Sequence, residues 1–228
     1  MAATVKSEQT RRQLIDSALE LFRTQGYAKT TMRSIAEAAG VSVGNAYYYF
    51  RSKDELVAEL YRQLQDEHRS RALPLLREGH NLGEHLKLIL LAHLDILEPY
   101  HDFGAHFLRL AMPPSPSSAA DRRSRRNTAD DGVGRAKSIA LFRQAVTVSR
   151  PQPPLAIRDD LPELLWLVHM GITLFWIYDR SPGQTRSRRL AHSVAPLTAK
   201  LVILSRLPVV RNIVEDVVHL FQGARRDD

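Results

Sequence analysis

Apolar residues recur along almost the whole chain with the period of a helix. The interruptions between them are rich in proline and glycine. Leu14, Ile15, Ala18, Leu21 and Phe22 fall at i, i+1, i+4, i+7 and i+8, an amphipathic stripe. Ser7 is a candidate N-cap for that helix, and Gly26 a candidate stop after it. A short second helix starts at Thr31, with Met32, Ile35, Ala36 and Ala39 on its apolar face and Gly40 suited to a left-handed C′ position. After Val41, Ser42 is a new N-cap for a third short helix running through Phe50. Ser52 then opens a fourth helix with Glu55 three residues on, a capping-box spacing.

Further helices are expected at Lys53–Leu76, Leu82–Leu97, Phe103–Met112, Val133–Val148, Leu161–Tyr178, Gln184–Ser205 and Val209–Gln222. The breaks "EPYHD", "PPSPSS", "RPQPP", "RSPG" and "LP" all contain proline, which removes a backbone donor from a helix. No stretch alternates as a strand does, so the fold class is all-α. Residues 1–52 form a three-helix unit whose last two helices join through a tight Gly-Val-Ser turn, the layout of a helix-turn-helix. Residues 53–228 form a larger helical domain, interrupted at 113–132 by a polar Pro/Ser-rich loop expected to be mobile. That loop carries Arg122, Arg123, Arg125 and Arg126, balanced by Asp121, Asp130 and Asp131.

Composition changes this picture little. The chain has 228 residues, a net charge of +7 and no cysteine. The absence of cysteine excludes disulfides and thiolate metal sites and fits a reducing cytoplasm. The positive charge suits a polyanion but is diffuse: residues 1–55 hold eight Lys/Arg against six Asp/Glu, an excess of two. Any nucleic-acid site must therefore be located by geometry. Leu161–Tyr178 is the best membrane candidate, yet it is short for a span and carries His169 near its middle, so it reads as a buried core helix.

The geometry comes from "GVSVGNAYYYFRSK", Gly40 to Lys53. With successive side chains turned by about 100°, Tyr47, Tyr48 and Tyr49 cannot all face inward. With Ala46 at the centre of the inner face, Phe50 and Tyr49 lean inward, and Val43 sits on a flank. Gly44, Tyr47, Tyr48 and Asn45 then look outward. Glycine on the exposed face of a helix costs about 1 kcal/mol relative to alanine, so another body approaching the backbone would explain it. Tyrosine hydroxyls can donate to phosphates, and Asn45 can reach base edges. Lys53 places a cation at a helix start, and Thr30 and Thr31 offer a hydroxyl and a backbone N–H to a second phosphate.

This stretch and its surroundings, "LFRTQGYAKTTMRSIAEAAGVSVGNAYYYFRSKDEL", resemble the DNA-binding domain of the tetracycline-repressor family of bacterial regulators over some fifty residues. The resemblance implies an all-α homodimer that binds double-stranded DNA at a palindromic operator. It also implies a C-terminal domain that dimerises through Leu161–Tyr178 and Gln184–Ser205 and takes a small-molecule effector. By the same resemblance Thr31, Tyr47, Tyr48, Tyr49 and Lys53 match phosphate-contacting positions, and Val43 and Gly44 match positions near base edges. Val43, often lysine in the family, leaves open a methyl contact to thymine.

Other constellations carry less. His80, His85, His93, His101 and His106 are spaced by 5, 8, 8 and 5 residues, which puts no i, i+4 ligand pair on one helix face, so no metal is expected. "GVGRAK" lacks the strand and the full motif of a phosphate loop, no hydrolase motif is present, and neither an enzyme nor a cofactor is expected. Trp166, His169, Met170, Phe175 and Trp176 can line an apolar or aromatic pocket, or form core and dimer surface; Phe103, His106 and Phe107 are further pocket candidates. The expected function is a cytoplasmic, effector-released repressor. The alternatives are an activator, or a helical scaffold whose helix-turn-helix no longer reads DNA.

Overall fold

The first helix, α1 (Ala2–Gln25), begins ahead of Ser7, which lies inside it. Nothing between Ala2 and Lys6 stops the helix, since alanine and lysine are strong helix formers and no proline or glycine intervenes. The protein is described here from a computed structural model covering residues 2–105 and 131–205, with side chains from 7–105 and 134–205. Among these residues the regular structure is entirely helical. Leu14, Ile15, Ala18, Leu19 and Phe22 form the buried stripe of α1; Leu21 is half-exposed, so the face is turned slightly toward Leu19. Gly26, at φ +83°, ends the helix in the left-handed conformation.

α2 (Met32–Ala38) starts with a reciprocal cap. Thr31 Oγ1 accepts from Ser34 N at 3.1 Å, and Ser34 Oγ accepts from Thr31 N at 3.0 Å. It stops at Gly40, φ +67°, where Val41 N donates back to Ala36 O at 3.0 Å. Ser42 then caps α3 (Val43–Tyr49) by accepting from Asn45 N at 3.1 Å, and Phe50 closes it in extended conformation. α4 (Lys53–Ala72) has half of the expected box. Ser52 Oγ accepts from Glu55 N at 3.1 Å, but the Glu55 carboxylate accepts from Arg51 N at 2.6 Å instead of reaching Ser52. Helical geometry ends at Ala72 because Pro74 follows, and a 3₁₀ turn spans Leu73–Leu75.

Packing divides the described residues into two units inside α4, the first comprising residues up to 63 and the second residues 64–104 with 131–205. In the first, α1 packs on α2 and α2 on α3, around Phe22, Ile35, Ala46, Phe50 and Leu56. Arg11 and Arg62 both pair with Glu59 Oε2, at 2.9 and 2.5 Å.

The second unit contains α5 (Leu82–Leu97), α6 (Asp131–Val148), the single turn α7 (Leu155–Arg158), α8 (Leu161–Tyr178) and α9 (Thr185–Leu204). α5 and α8 have the expected bounds; α6 starts two residues before Val133, and α9 runs from Thr185 to Leu204. "EPYHD" does not break the chain. Pro99 sits at the start of a 3₁₀ segment, Glu98–Phe103, where no donor is lost. Most of the expected Phe103–Met112 helix, nearly all of the 113–132 loop and the Val209–Gln222 helix lie outside the described residues.

Small residues set the spacing in this unit. Ala191, Ala195 and Ala199 are buried on α9, and a Cβ at Gly83 would lie 3.2 Å from Ala199 Cβ and from Pro196 Cα. Gly104 is tighter still, since a Cβ there would stand 2.7 Å from Ile177 Cγ1 and 2.8 Å from Trp176 Cζ3. Buried Asp179 ties α8 to α9 by accepting from Ser181 N and Oγ at 2.9 and 2.6 Å and from Ser187 N and Oγ at 2.8 and 2.7 Å. By length and composition α8 could cross a membrane, but half of it is buried within this unit, against α5 and α6.

Candidate DNA-binding interface

The sequence of α3 sorts cleanly into two faces. Ala46 is fully buried and Phe50 is 1% exposed, while Tyr47 and Tyr48 are 51% and 82% exposed. Val43, Gly44 and Asn45 are exposed, and Tyr49 is half-buried, with its ring edge-on to Tyr48 at 5.3 Å. A Cβ at Gly44 would meet nothing within 4 Å. No packing inside the protein therefore requires glycine there. The absence of a side chain matters only to something that comes against the helix from outside.

The flanking residues are fixed by local bonds that the sequence alone did not reveal. Thr30 is 1% exposed, and its hydroxyl donates to Gly26 O at 2.9 Å while its N–H donates to the same carbonyl at 3.3 Å. It is turned away from the surface and offers no hydroxyl there. Thr31 is exposed; its N–H donates to Ser34 Oγ, and its hydroxyl accepts from Ser34 N and donates to Ser34 Oγ at 3.2 Å. Lys53 Nζ donates to Tyr27 O at 2.6 Å and Thr30 O at 3.1 Å and lies 4.2 Å above the Tyr27 ring. Its charge is pinned beside Thr31 in place of swinging free. Tyr27 OH in turn donates to Asp54. Lys29, Arg33 and Arg51 are exposed cations of the same unit, which the motif-based reading did not single out.

In the second unit Phe103, Trp166 and His169 are buried and Met170 is half-buried. Trp166 and His169 lie one turn apart on α8, with the Arg135 guanidinium 4.6 Å from the Trp166 ring centroid. His106 and Phe107 lie outside the described residues. Among the described residues, no group of three or more His, Asp or Glu side chains is arranged to hold a metal ion.

Residues 14–60 match the family described as bacterial regulatory proteins, tetR family, and residues 85–220 match the tetracyclin repressor-like C-terminal domain. The chain belongs to this family. Among its relatives, the HTH-type transcriptional repressor KstR2 of Mycobacterium tuberculosis (strain ATCC 25618 / H37Rv) is 32% identical over 116 residues, 49% of this chain and 58% of that protein. The match thus covers less than two thirds of the relative. Among solved structures, a tetR-family transcriptional regulator from Streptomyces coelicolor superposes with a TM-score of 0.59 at 21% identity, covering 92% of this chain and 90% of the other. Thermus thermophilus FadR, a transcriptional repressor of the family in complex with lauroyl-CoA, gives 0.55 at 19% identity over 81% and 92%. At these identities the structural likeness concerns the fold.

Proposed function

We propose that the protein is a homodimeric transcriptional repressor that binds a palindromic operator in double-stranded DNA and is released by a small-molecule effector. The observation that carries the reading is the outer face of α3, where exposed Tyr47 and Tyr48 flank a glycine with open space around it. In a major groove, Gly44 would let the backbone approach the base edges, with Val43 and Asn45 beside it. Tyr47 and Tyr48 would donate to phosphates, Tyr49 would brace Tyr48, and the pinned ammonium of Lys53 with the Thr31 hydroxyl would attract a second phosphate. Thr30 drops out of the contact set and supports the turn instead.

Dimerisation is supported by apolar side chains on α8 and α9. Leu174 and Tyr178 are exposed at i, i+4, and Leu197, Leu201 and Leu204 at i, i+4, i+7, each set on one helix face. A second copy of the chain covering both faces would set the distance between two α3 helices. The effector reading is supported by the FadR complex with lauroyl-CoA, and it places an apolar or aromatic ligand in the second unit near Trp166, His169, Met170 and Phe103. The effector lowers DNA affinity only by the ratio of its own affinities for the two dimer geometries.

Selection of random duplexes at graded salt tests the reading. A recovered palindrome, with log K falling by about 0.9 per phosphate neutralised, is the expected result. No enrichment at low salt would leave a helical protein that does not read DNA.

A further inference from the structure

Three histidines from three helices meet inside the second unit. The rings of His93 on α5 and His169 on α8 stand edge to face, with centroids 4.1 Å apart; His68 on α4 is 4.9 Å from His93 and 5.7 Å from His169. Phe142 on α6 adds a ring 5.7 Å from His169. All three imidazoles are buried. Burial pushes His68 down to about 4 and His169 down to about 3, and holds His93 well below its ordinary value. The cluster is therefore uncharged near neutral pH.

The hydrogen bonds fix two of the three tautomers. His68 Nε2 lies 3.0 Å from Ile89 O, so it carries the proton and donates. The Thr173 hydroxyl donates to His169 O at 2.9 Å, so at 3.2 Å it accepts from His93 Nε2. His68 and His93 each keep only a lone pair on Nδ1. His169 differs from both, because neither of its ring nitrogens has a hydrogen-bond partner. His85, fully buried, contrasts with it: Nε2 is bonded to Arg77 O at 3.0 Å and Nδ1 to Ser149 Oγ at 2.9 Å.

A buried donor and acceptor on one ring, both unpartnered, are unfavourable in the protein alone and call for a polar group brought in from outside. A hydroxyl suits either nitrogen, since it can accept from the N–H or donate to the bare nitrogen, whichever faces it. A carboxylate does not fit as well, because the described contacts of the three rings are to one another, Phe142, Thr173 and a backbone carbonyl, with no cation to meet it. The Arg135 guanidinium, on α6, lies on the ring of Trp166, one turn before His169 along α8. We propose that the His68–His93–His169 cluster is the polar end of the effector site, and that it takes a small apolar ring compound bearing a hydroxyl group, gripped by His169. This rests on the effector-released reading above and names the ligand chemistry of that site.

The test uses para-butylphenol, para-cyclohexylphenol and cyclohexylmethanol, each paired with the hydrocarbon that lacks the hydroxyl, titrated into the full chain by calorimetry near neutral pH. The expected result is that at least one hydroxylated probe binds about ten-fold tighter than its hydrocarbon, and that His169→Leu removes the preference. Thr173→Val, which takes away the group that orients His93, should also reduce it and serves if His169→Leu melts without cooperativity. The proposal is overturned if no pair differs, or if the preference survives in the folded variants. Duplex selection on the same preparation separates the two readings. Operator binding without any hydroxyl preference sinks the ligand assignment alone, while a hydroxyl preference without duplex enrichment sinks the repressor reading and keeps the site.

Discussion

Two aromatic-rich stretches of this chain meet opposite fates. In α3, "AYYYF" turns two tyrosine rings to solvent. In α8, "WLVHMGITLFW" buries Trp166 and Trp176 and, between them, an imidazole whose nitrogens have no partner. Stability alone selects the reverse in both places, since large rings gain from burial and polar atoms gain from water. The first region departs from the rule at the outside of the molecule, and the second departs from it at the inside. An outward ring suits a partner that approaches the surface, and a buried unpaired imidazole suits one that enters. The comparison predicts that the two regions respond to different perturbations.

Acid should produce the largest effect, and only on the buried side. His68, His93 and His169 bind protons more weakly in the folded chain than in the unfolded one, where the ordinary value is 6.5. Their contribution is therefore full above about pH 6.5 and is lost as pH falls toward 4 and below, at up to about 1.4 kcal/mol per pH unit for each group. Thermal melts across that range should show the steep loss, and His169→Phe should make it shallower. A melting temperature flat in pH would mean that the imidazoles bind protons as strongly in the folded chain as in the unfolded one.

Next in size is a contrast within α3. Phe50→Ala should cost about 3–5 kcal/mol of unfolding free energy in a denaturant titration, because it empties the centre of the first unit. Tyr48→Phe should change stability by less than about 0.5 kcal/mol, yet weaken binding to every duplex by about ten-fold. A variant that melts early and binds normally would make Tyr48 a packing residue.

The smallest effect has the more telling sign. Gly44→Ala should stabilise the chain by up to about 1 kcal/mol, because alanine is the better helix former and its methyl meets nothing in the protein. The same change should lower operator affinity. Stabilisation with affinity unchanged would show that nothing approaches the α3 backbone.

Helix ends were legible in the sequence wherever one residue decides them locally. Thr31, Ser42, Gly26 and Gly40 act at the positions their chemistry indicates. Ser7 failed because a serine caps only where the helix would otherwise stop, and the residues before it continue the helix. The wheel through Ala46 sorted the tyrosines correctly, because period alone fixes which side chains share a face. It did not show that Thr30 points inward or that Lys53 is fastened to two carbonyls, since both depend on where the turn after α1 lies against α4. The imidazole cluster was out of reach for the same reason. His93 stood out only among its sequence neighbours from His80 to His106, and the partners it actually meets are His68 and His169, on other helices.

Gly104 has a bearing on how this chain can vary. At position 44 a methyl enters open space, whereas at 104 it would run into the Ile177 side chain and the rigid indole of Trp176. Every base change that alters the residue adds at least that methyl, so each single mutational step from this glycine leads uphill. In a saturation library scored for folding alone, position 104 should return almost nothing but the parent, and position 44 should accept many substitutions. Scored for operator binding instead, the tolerance at 44 should vanish while 104 looks the same. The two glycines are indistinguishable in composition, and only the choice of selection would tell them apart.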